Sequence, residues 1–421
     1  MTSLDTMTAT PTDVPDPSHW PDLADYPRGL RADVQAAVVR RLLDAAAKRA
    51  GVNVVEGLDA YPLDGRPVLV IYRPEEFFAR VGSDGLIGFG EAWQTGAWSS
   101  PDVVALLTAL ARHLPELVPP FLQRLRHAYV ARPPVAHRNE VGNTRSNISA
   151  HYDLSNDLFA SFLDPTMSYS SALFTTAPFD QQTLEQAQSR KIDRILNQAR
   201  VGEGTRLLEI GTGWGELAIR AAQRGAEVLS VTLSAEQQHL ARTMAHAAGV
   251  DDAVRIELCD YREVEGSYDA VVSVEMIEAV GHQYWPTYFA TIDKLLVPGG
   301  RAVIQAITMP HDRMLATQST WTWINKYIFP GGFLPSVQAM DEVVAEHTSL
   351  QRLEDLAFGL HYAETLRRWR ERFIAKQERV MALGFDETFC RTWEFYLAYS
   401  EAGFAAGYLD VHQLTLQKED A

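Results

Sequence analysis

The feature of this sequence that most restricts its fold is a glycine-rich turn between an apolar strand and a helix. Residues 206–223 read "RLLEIGTGWGELAIRAAQ", with glycines at 211, 213 and 215. Glycine lets the backbone approach a ligand closely. Because the turn follows the carboxyl end of a strand, where open α/β sheets bind their ligands, the pattern predicts a cofactor site on such a sheet.

The same strand-and-helix alternation continues along the chain from about residue 151 to about residue 308. Helix-length segments separate short apolar or β-branched runs. The runs are "TRLLEI", "AEVLSV", "VRIEL", "YDAVVSV" and "RAVIQAI". Their βαβ order predicts an open, mostly parallel sheet.

The spacing of the glycines argues against a dinucleotide. The dinucleotide fingerprint is G-x-G-x-x-G with an acidic residue about 20 positions further on. Here the spacing is G-x-G-x-G, and the second strand ends in "SVTLS" without a carboxylate. Asp260 in "CDYRE" follows the third strand, where it could accept a hydrogen bond from an adenine amino group. These features favour a different adenosine-bearing cofactor.

The rest of the chain divides into further regions. Residues 1–29 are predicted to be a disordered tail, and they lack the basic start and apolar core of a signal peptide. Residues 30–120 predict a small α+β domain, with a helix in "LRADVQAAVVRRLLDAAAKRAG", a strand in "GRPVLVIY" and a helix in "SPDVVALLTALARHL". Residues after 308 are aromatic-rich and then mainly helical, which predicts a cap over the ligand-binding edge of the sheet.

Charge and composition limit the partners. The net charge of −16 disfavours nucleic acid, whereas residues 121–150 carry five arginines and one acid, which suits either a solvated linker or contact with a phospholipid surface. There are only two cysteines and no run of about 18 apolar residues, so neither a disulfide framework nor a membrane span is predicted. We expect a cytoplasmic protein, peripheral to the inner face of the membrane, and we predict no metal site.

Several ordered motifs resemble those of the cyclopropane fatty acid synthase and mycolic acid methyltransferase family. They include "HYDLSNDLFASFLDPTMSYSSALF", "LLEIGTGWGELAIRAA", "VTLSAEQQ", "YDAVVSVEMIEAVG", "WINKYIFPGG" and "HYAETLRRW". The resemblance implies a class I, Rossmann-like methyltransferase domain over residues 151–421 with an acyl-chain-binding cap. "GFGEAWQTGAW" resembles the N-terminal domain of the long, phospholipid-acting members, so residues 30–120 could contact lipid or a second subunit.

The resemblance also implies S-adenosyl-L-methionine as the cofactor. The glycine turn is then expected to face its methionine part, and the "VTLSAEQ" segment is expected to lie along its ribose and adenine. The predicted cofactor-binding residues are Tyr169, Ser170, Glu209, Gly211, Gly213, Thr232, Leu233, Gln237, Asp260 and Tyr261. Read without the resemblance, the same residues could be an ordinary strand–turn–helix with a helix N-cap at Ser234.

The predicted catalytic residues depart from the family pattern. Ring-forming members are thought to use a bound bicarbonate as base, held by a cysteine, a glutamate, a histidine, a tyrosine and a backbone group. Glu278 and Tyr362 match the glutamate and the tyrosine. Ser171 and Gln305 stand at the cysteine and histidine positions, and Glu401 stands at a further pocket cysteine position. We therefore predict that the Glu401 carboxylate replaces the bicarbonate.

This pattern resembles one branch of the family, the actinobacterial enzymes that methylenate oleoyl phospholipid on the route to 10-methyl acids such as tuberculostearic acid. The resemblance implies a 10-methylene product and a separate flavin-dependent reductase that saturates it; a homo-oligomer is also possible. Two alternatives remain open at this stage. One is a cyclopropane-fatty-acyl-phospholipid synthase, and the other is a catalytically silent lipid-binding relative.

Overall fold

The computed structural model describes residues 15–57, 64–117, 155–175 and 177–420. The predicted basic segment, 121–150, lies outside these residues. The chain forms two compact units. The first unit takes its described residues from 1–132, 320–328 and 377–408, and the second unit takes them from 133–319, 329–376 and 409–421.

The first unit combines helices with a small sheet, as the α+β prediction requires. Its helices are α1 (Leu30–Ala50), α2 (Pro74–Asp84), α3 (Leu86–Gln94), α4 (Val103–Leu117), α12 (Trp323–Tyr327), α15 (Gln377–Ala382) and α16 (Glu387–Ala405). Its strands are β1 (Asn53–Glu56), β2 (Val68–Ile71) and β3 (Trp98–Ser99), with β1 parallel and β3 antiparallel to the central β2. The predicted helix in residues 30–51 and strand in residues 65–72 are both present.

The predicted disordered tail differs from the structure over residues 15–29. Leu23 is buried, and its carbonyl oxygen accepts a 2.8 Å hydrogen bond from Arg80. The Trp20 indole donates to Asp386 at 2.7 Å. An apolar side chain and an indole N–H thus anchor a segment whose prolines and acids suggest mobility. Residues 1–14 are outside the described part of the chain.

The second unit contains the predicted open sheet. Its strands are β4 (Arg206–Ile210), β5 (Glu227–Thr232), β6 (Val254–Leu258), β7 (Tyr268–Val274), β8 (Leu296–Thr308), β9 (Leu350–Ala357) and β10 (Asp410–Lys418). They lie in the order β6-β5-β4-β7-β8-β10-β9. The first five strands are parallel and correspond to the five predicted runs. β10 is antiparallel to both of its neighbours, β8 and β9. These last two strands lie in the C-terminal region that the sequence predicts to be mainly helical.

Helices cover both faces of this sheet, because successive side chains of its strands point to opposite sides. In β7, Val271 packs in one core cluster and Val272 in the other. The helices are α5 (Asn156–Phe162), α6 (Leu184–Gln198), α7 (Glu216–Gln223), α8 (Ala235–Ala247), α9 (Ile277–Val280), α10 (Trp285–Leu295), α11 (His311–Thr317), α13 (Val337–His347) and α14 (Gly359–Ile374). Because β4, β5 and β6 are parallel, their carboxyl ends lie at the same edge of the sheet.

The predicted domain of residues 151–421 is not continuous in the structure. Residues 320–328 and 377–408 lie in the first unit, where Trp323 donates to Gln94 at 2.9 Å and Trp93 donates to the carbonyl of Arg391 at 2.9 Å. Within the described ranges, no helix has the length and apolar character needed to cross a membrane.

Candidate active site

The glycine turn after β4 forms one wall of a cavity in the second unit. Gly211, Gly213 and Gly215 have φ angles of 98°, 53° and 98°. A Cβ on Gly215 would lie 3.0 Å from Ala241 Cβ, so that glycine allows α7 to pack on α8. A Cβ on Gly213 would meet no described atom within 4 Å, so that glycine leaves open space beside the turn.

The second wall comes from the turn between β5 and α8. The Thr232 hydroxyl donates to Gln237 Oε1 at 2.8 Å, which fixes the side-chain amide at the start of the helix. Ser234 is the N-cap, and its hydroxyl accepts from the Gln237 backbone N–H at 3.2 Å. The capping expected of an ordinary strand–turn–helix is therefore present, and it also orients the two side chains that face the cavity.

The third wall follows β6. Arg262 binds both carboxylate oxygens of Asp260, and the Arg262 backbone N–H donates to Oδ1 at 3.0 Å. Burial raises the pKa of Asp260, but these hydrogen bonds outweigh it and hold the pKa below its usual value. Asp260 therefore stays an ionised acceptor beside the cavity.

Together these walls enclose a cavity of about 180 Å³. The ten predicted cofactor-binding residues all line it: Tyr169, Ser170, Glu209, Gly211, Gly213, Thr232, Leu233, Gln237, Asp260 and Tyr261. The sequence places them on three strand ends and one separate loop, and the fold brings them together. Their roles toward a cofactor remain predictions.

A buried lysine that the sequence analysis did not single out lies among them. Lys191 of α6 is 3% exposed, lines the cavity and donates to Ser170 Oγ at 2.8 Å. Burial lowers the pKa of Lys191 to about 8, against the charges of Glu275, Asp164 and Glu209. Lysine is rarely this buried without a charged partner, and here the nearby carboxyl groups supply the opposite charge.

Glu209 is the last but one residue of β4 and is also buried. Ser230 Oγ on the neighbouring strand donates to Glu209 Oε2 at 2.6 Å. Burial raises the pKa of Glu209 to about 8, and neither this hydrogen bond nor the charge of Lys191 compensates fully. The cavity therefore has a protonatable carboxyl at the base of its glycine wall.

Four of the five predicted catalytic residues lie in the second unit, and three of them converge on a glutamate that was not predicted. Glu275 follows the last residue of β7 and lines the cavity. Its Oε1 accepts from the Ser171 backbone N–H and from Gln305 Nε2, both at 2.8 Å. Its Oε2 accepts from the Tyr362 hydroxyl at 2.8 Å. The chain thus carries its own carboxylate among the side chains that the resemblance links to bicarbonate.

The fourth residue, Glu278, lies in α9, three positions after Glu275. Its Oε1 accepts from the Ile307 backbone N–H at 2.5 Å. Its Oε2 is buried and has no hydrogen-bond partner among the described residues. Burial, and then the charge of Glu275, raise the pKa of Glu278 to about 8. Two neighbouring buried carboxyl groups of this kind do not ionise independently.

A chain of hydrogen bonds fixes the amide of Gln305. Arg194 can only donate, and it donates to Gln413 Oε1 at 2.5 Å. Gln413 Nε2 must then donate, and it does so to Gln305 Oε1 at 2.9 Å. Gln305 Nε2 is left to donate to Glu275. The guanidinium therefore sets the direction of each amide up to the carboxylate.

The fifth predicted residue, Glu401, lies in the first unit. It is in α16 and is 6% exposed, so it is not a surface acid. Tyr169 and Tyr284 are among the aromatic residues that line the cavity. Tyr327 is in the first unit, where its hydroxyl donates to Glu91 at 2.9 Å. No cluster of metal-binding side chains occurs in the part of the chain that the structure describes.

A mixed sheet of this order, with a glycine-walled cavity at the carboxyl ends of its first strands, defines a class I methyltransferase fold. The chain belongs to the mycolic acid cyclopropane synthetase family, whose model matches residues 140–414.

The chain is also similar to individual proteins of known name or structure. The chain is 53% identical to the tuberculostearic acid methyltransferase UfaA1 of Mycobacterium tuberculosis, over 97% of this chain and 98% of that one. It is 33% identical to the cyclopropane-fatty-acyl-phospholipid synthase of Escherichia coli, over 84% and 88% of the two chains. The crystal structure of mycolic acid cyclopropane synthase CmaA1 complexed with SAH and CTAB has a TM-score of 0.60 at 31% identity, covering 65% of this chain and 98% of that one.

Proposed function

We propose that this protein is an S-adenosylmethionine-dependent methyltransferase that acts on the double bond of oleoyl phospholipid and forms a 10-methylene acyl chain. This product is the precursor of 10-methyl branched fatty acids. The observation that carries the proposal is the glycine-walled cavity, with Glu209 and Glu275 in its lining, in a chain 53% identical to UfaA1 along nearly its whole length.

The residues of the cavity suit S-adenosylmethionine. The open space at Gly213 admits a ligand against the backbone. Gln237 and Asp260 offer a fixed amide and a carboxylate to ribose hydroxyls and an adenine amino group. The cofactor supplies an electrophilic methyl group. The site need only hold the alkene in place, exclude water, stabilise positive charge on the acyl chain and accept one proton.

The methylene product is favoured over a cyclopropane ring by the residues at the predicted base. Ser171 and Gln305 stand where ring-forming relatives are thought to hold bicarbonate with a cysteine and a histidine, and both contact Glu275 instead. The 33% identity to the E. coli synthase keeps ring formation as the second candidate. A silent lipid-binding relative would have no use for these buried carboxyl groups.

The substrate would reach the protein at a membrane surface. The five arginines of residues 121–150 suit a phosphate headgroup, so we place the protein in the cytoplasm, peripheral to the inner face of the membrane. A methylene chain needs a further two-electron reduction to become a methyl branch. We therefore expect a flavin-dependent reductase to act on the product, and self-association of the protein is also open to test.

Proton NMR of the product lipid tests this function directly. The protein is incubated with S-adenosylmethionine and vesicles of dioleoyl phosphatidylglycerol, and the lipid is then extracted. Vinylidene protons support the proposal, and high-field ring protons would replace it with cyclopropane synthesis. Mass alone does not separate the two products, because both add CH₂. Binding of S-adenosylmethionine without any modified lipid would favour the silent relative.

A further inference from the structure

Glu275 is held in the site by hydrogen bonds from three different residues. Three donors hold it at 2.8 Å, namely the Ser171 backbone N–H, Gln305 Nε2 and the Tyr362 hydroxyl. Its backbone has φ of 49°, a conformation that glycine adopts easily and other residues seldom adopt. Such strain is typical of functional positions. Since the backbone conformation would favour glycine, the presence of glutamate at position 275 is explained by what its side chain does.

The hydrogen bonds leave Glu275 able to accept a proton. A carboxylate offers about four lone-pair positions, and the described residues occupy three of them. The remaining position is on Oε2, which carries only the Tyr362 contact. Glu275 also lines the predicted cofactor cavity.

The surroundings hold the Glu275 carboxyl group in a fixed orientation. The relay from Arg194 through Gln413 presents an N–H of Gln305 to the carboxylate and not its carbonyl oxygen. Lys191 supplies a positive charge nearby. Burial nevertheless raises the pKa of Glu275 above its ordinary value, and a more basic carboxylate is a better proton acceptor.

We propose that Glu275 is the general base of the reaction, taking the place that an external bicarbonate would otherwise fill. The inference rests on the proposed function. After methyl addition and a hydride shift, the acyl cation loses a proton from the new methyl group. The C–H electron pair becomes the second bond of the methylene alkene, and the proton passes to Glu275 Oε2. The negative charge of the carboxylate also attracts the acyl cation before the proton is lost.

Glu401 is the residue predicted from the family pattern to take this role. Glu401 is a buried residue of α16 in the first unit, whereas Ser171, Gln305 and Tyr362 all direct their donors to Glu275 in the second unit. The two assignments make different predictions for single substitutions, so one experiment separates them.

The test uses Glu275→Gln, Glu275→Gly and Glu401→Gln in the full-length protein. Glu275→Gln is nearly isosteric. Glu275→Gly suits the φ of 49° and leaves a space lined by the three donors, which fits formate, acetate or bicarbonate. Each variant is assayed with dioleoyl phosphatidylglycerol vesicles, with each sodium salt against sodium chloride at equal ionic strength. Calorimetry with S-adenosylhomocysteine and thermal unfolding with and without formate provide readouts that do not depend on turnover.

We expect Glu275→Gln to lose roughly 10²-fold or more in rate, the usual scale of a positioned base, with S-adenosylhomocysteine affinity nearly unchanged. Glu275→Gly should lose a similar factor and regain rate with a small carboxylate, and formate should raise its melting temperature but not that of the wild type. The wild-type rate should be indifferent to bicarbonate.

Three results would overturn the inference. They are a Glu275→Gln enzyme that keeps its rate while Glu401→Gln loses it, a wild type that stops without bicarbonate, and a Glu275→Gly protein that responds to none of the anions. A wild type that modifies no lipid would instead contradict the proposed function. In that case the formate-dependent melting of Glu275→Gly would still report whether the donors form an anion site.

Discussion

The Gln413 side-chain amide donates a 2.9 Å hydrogen bond to Gln305 Oε1, and both residues are fully buried. The two residues are directly opposite each other in the antiparallel pair β8 and β10. The register of this strand pair therefore places the Gln413 amide against Gln305 Oε1 and leaves Gln305 Nε2 to face Glu275.

Replacing Gln413 by leucine should disturb catalysis without disturbing cofactor binding. Gln305 Oε1 would lose the hydrogen bond from Gln413 that fixes the orientation of its amide. Gln305 Nε2 would then no longer be a fixed donor to Glu275, and the loss of a donor raises the pKa of a carboxyl group. We expect about a tenfold lower rate and an acidic limb of the pH–rate profile that moves to higher pH. Gln417→Leu, on the same strand with Arg301 as its partner, is the matched control. A change in rate with an unmoved profile would indicate simple loss of packing.

Gly213→Val should abolish binding of S-adenosylhomocysteine while the protein stays folded. The new side chain would occupy the open space beside the turn, where no described atom lies within 4 Å of its Cβ. Gly204→Val is the control, because Gly204 also has positive φ, at 72°, and open surroundings, but does not line the cavity. Titration calorimetry measures both. Equal affinity of the two variants for S-adenosylhomocysteine would contradict the prediction that the cofactor lies against the glycine turn.

Glu278→Gln should slow turnover strongly and leave S-adenosylhomocysteine affinity nearly unchanged. A group that acts on developing positive charge is felt mainly in the transition state. Glu346→Gln, at an exposed position of α13, provides the comparison. Parallel loss of affinity and rate in Glu278→Gln would give the residue a structural role, since its Oε1 also accepts from the Ile307 backbone.

Stability should fall as pH rises above the ordinary glutamate range. Glu209 and Glu278 have folded-state pKa values raised to about 8, so both bind protons more tightly folded than unfolded. Their contribution is complete below about pH 4.5 and is lost as pH rises through about 8, at about 1.4 kcal/mol per pH unit for each group. Urea unfolding between pH 5 and 9 measures the slope. Glu209→Gln should reduce it, and an unchanged slope would contradict the raised pKa.

The sequence predicts the five parallel strands because each is a short apolar run between helix-length segments. It does not predict β9, "LQRLEDLA", because this edge strand is charged and mostly exposed. Lysine and glutamate ordinarily read as surface residues, so the burial of Lys191 and the role of Glu275 could not be read from composition. The "SVEMIEAVG" motif contains two glutamates, and the family resemblance directs attention only to Glu278. The signal for Glu275 was its place immediately after a buried strand.

Each unit is completed by a segment that lies far along the chain from its first strands. In the first unit, Trp93 is hydrogen-bonded to Arg391, 298 positions later, and in the second unit β10 lies between β8 and β9. A nascent chain emerging from the ribosome can therefore finish the first unit only after residues 377–408 are free, and the second unit only after β10 is free. Until then, the unpaired edge of β8 and the indole of Trp93 would be exposed to other chains. A truncation just before Asp410 would keep every segment of the first unit but leave β8 and β9 without their shared partner strand, so we expect it to damage the second unit alone.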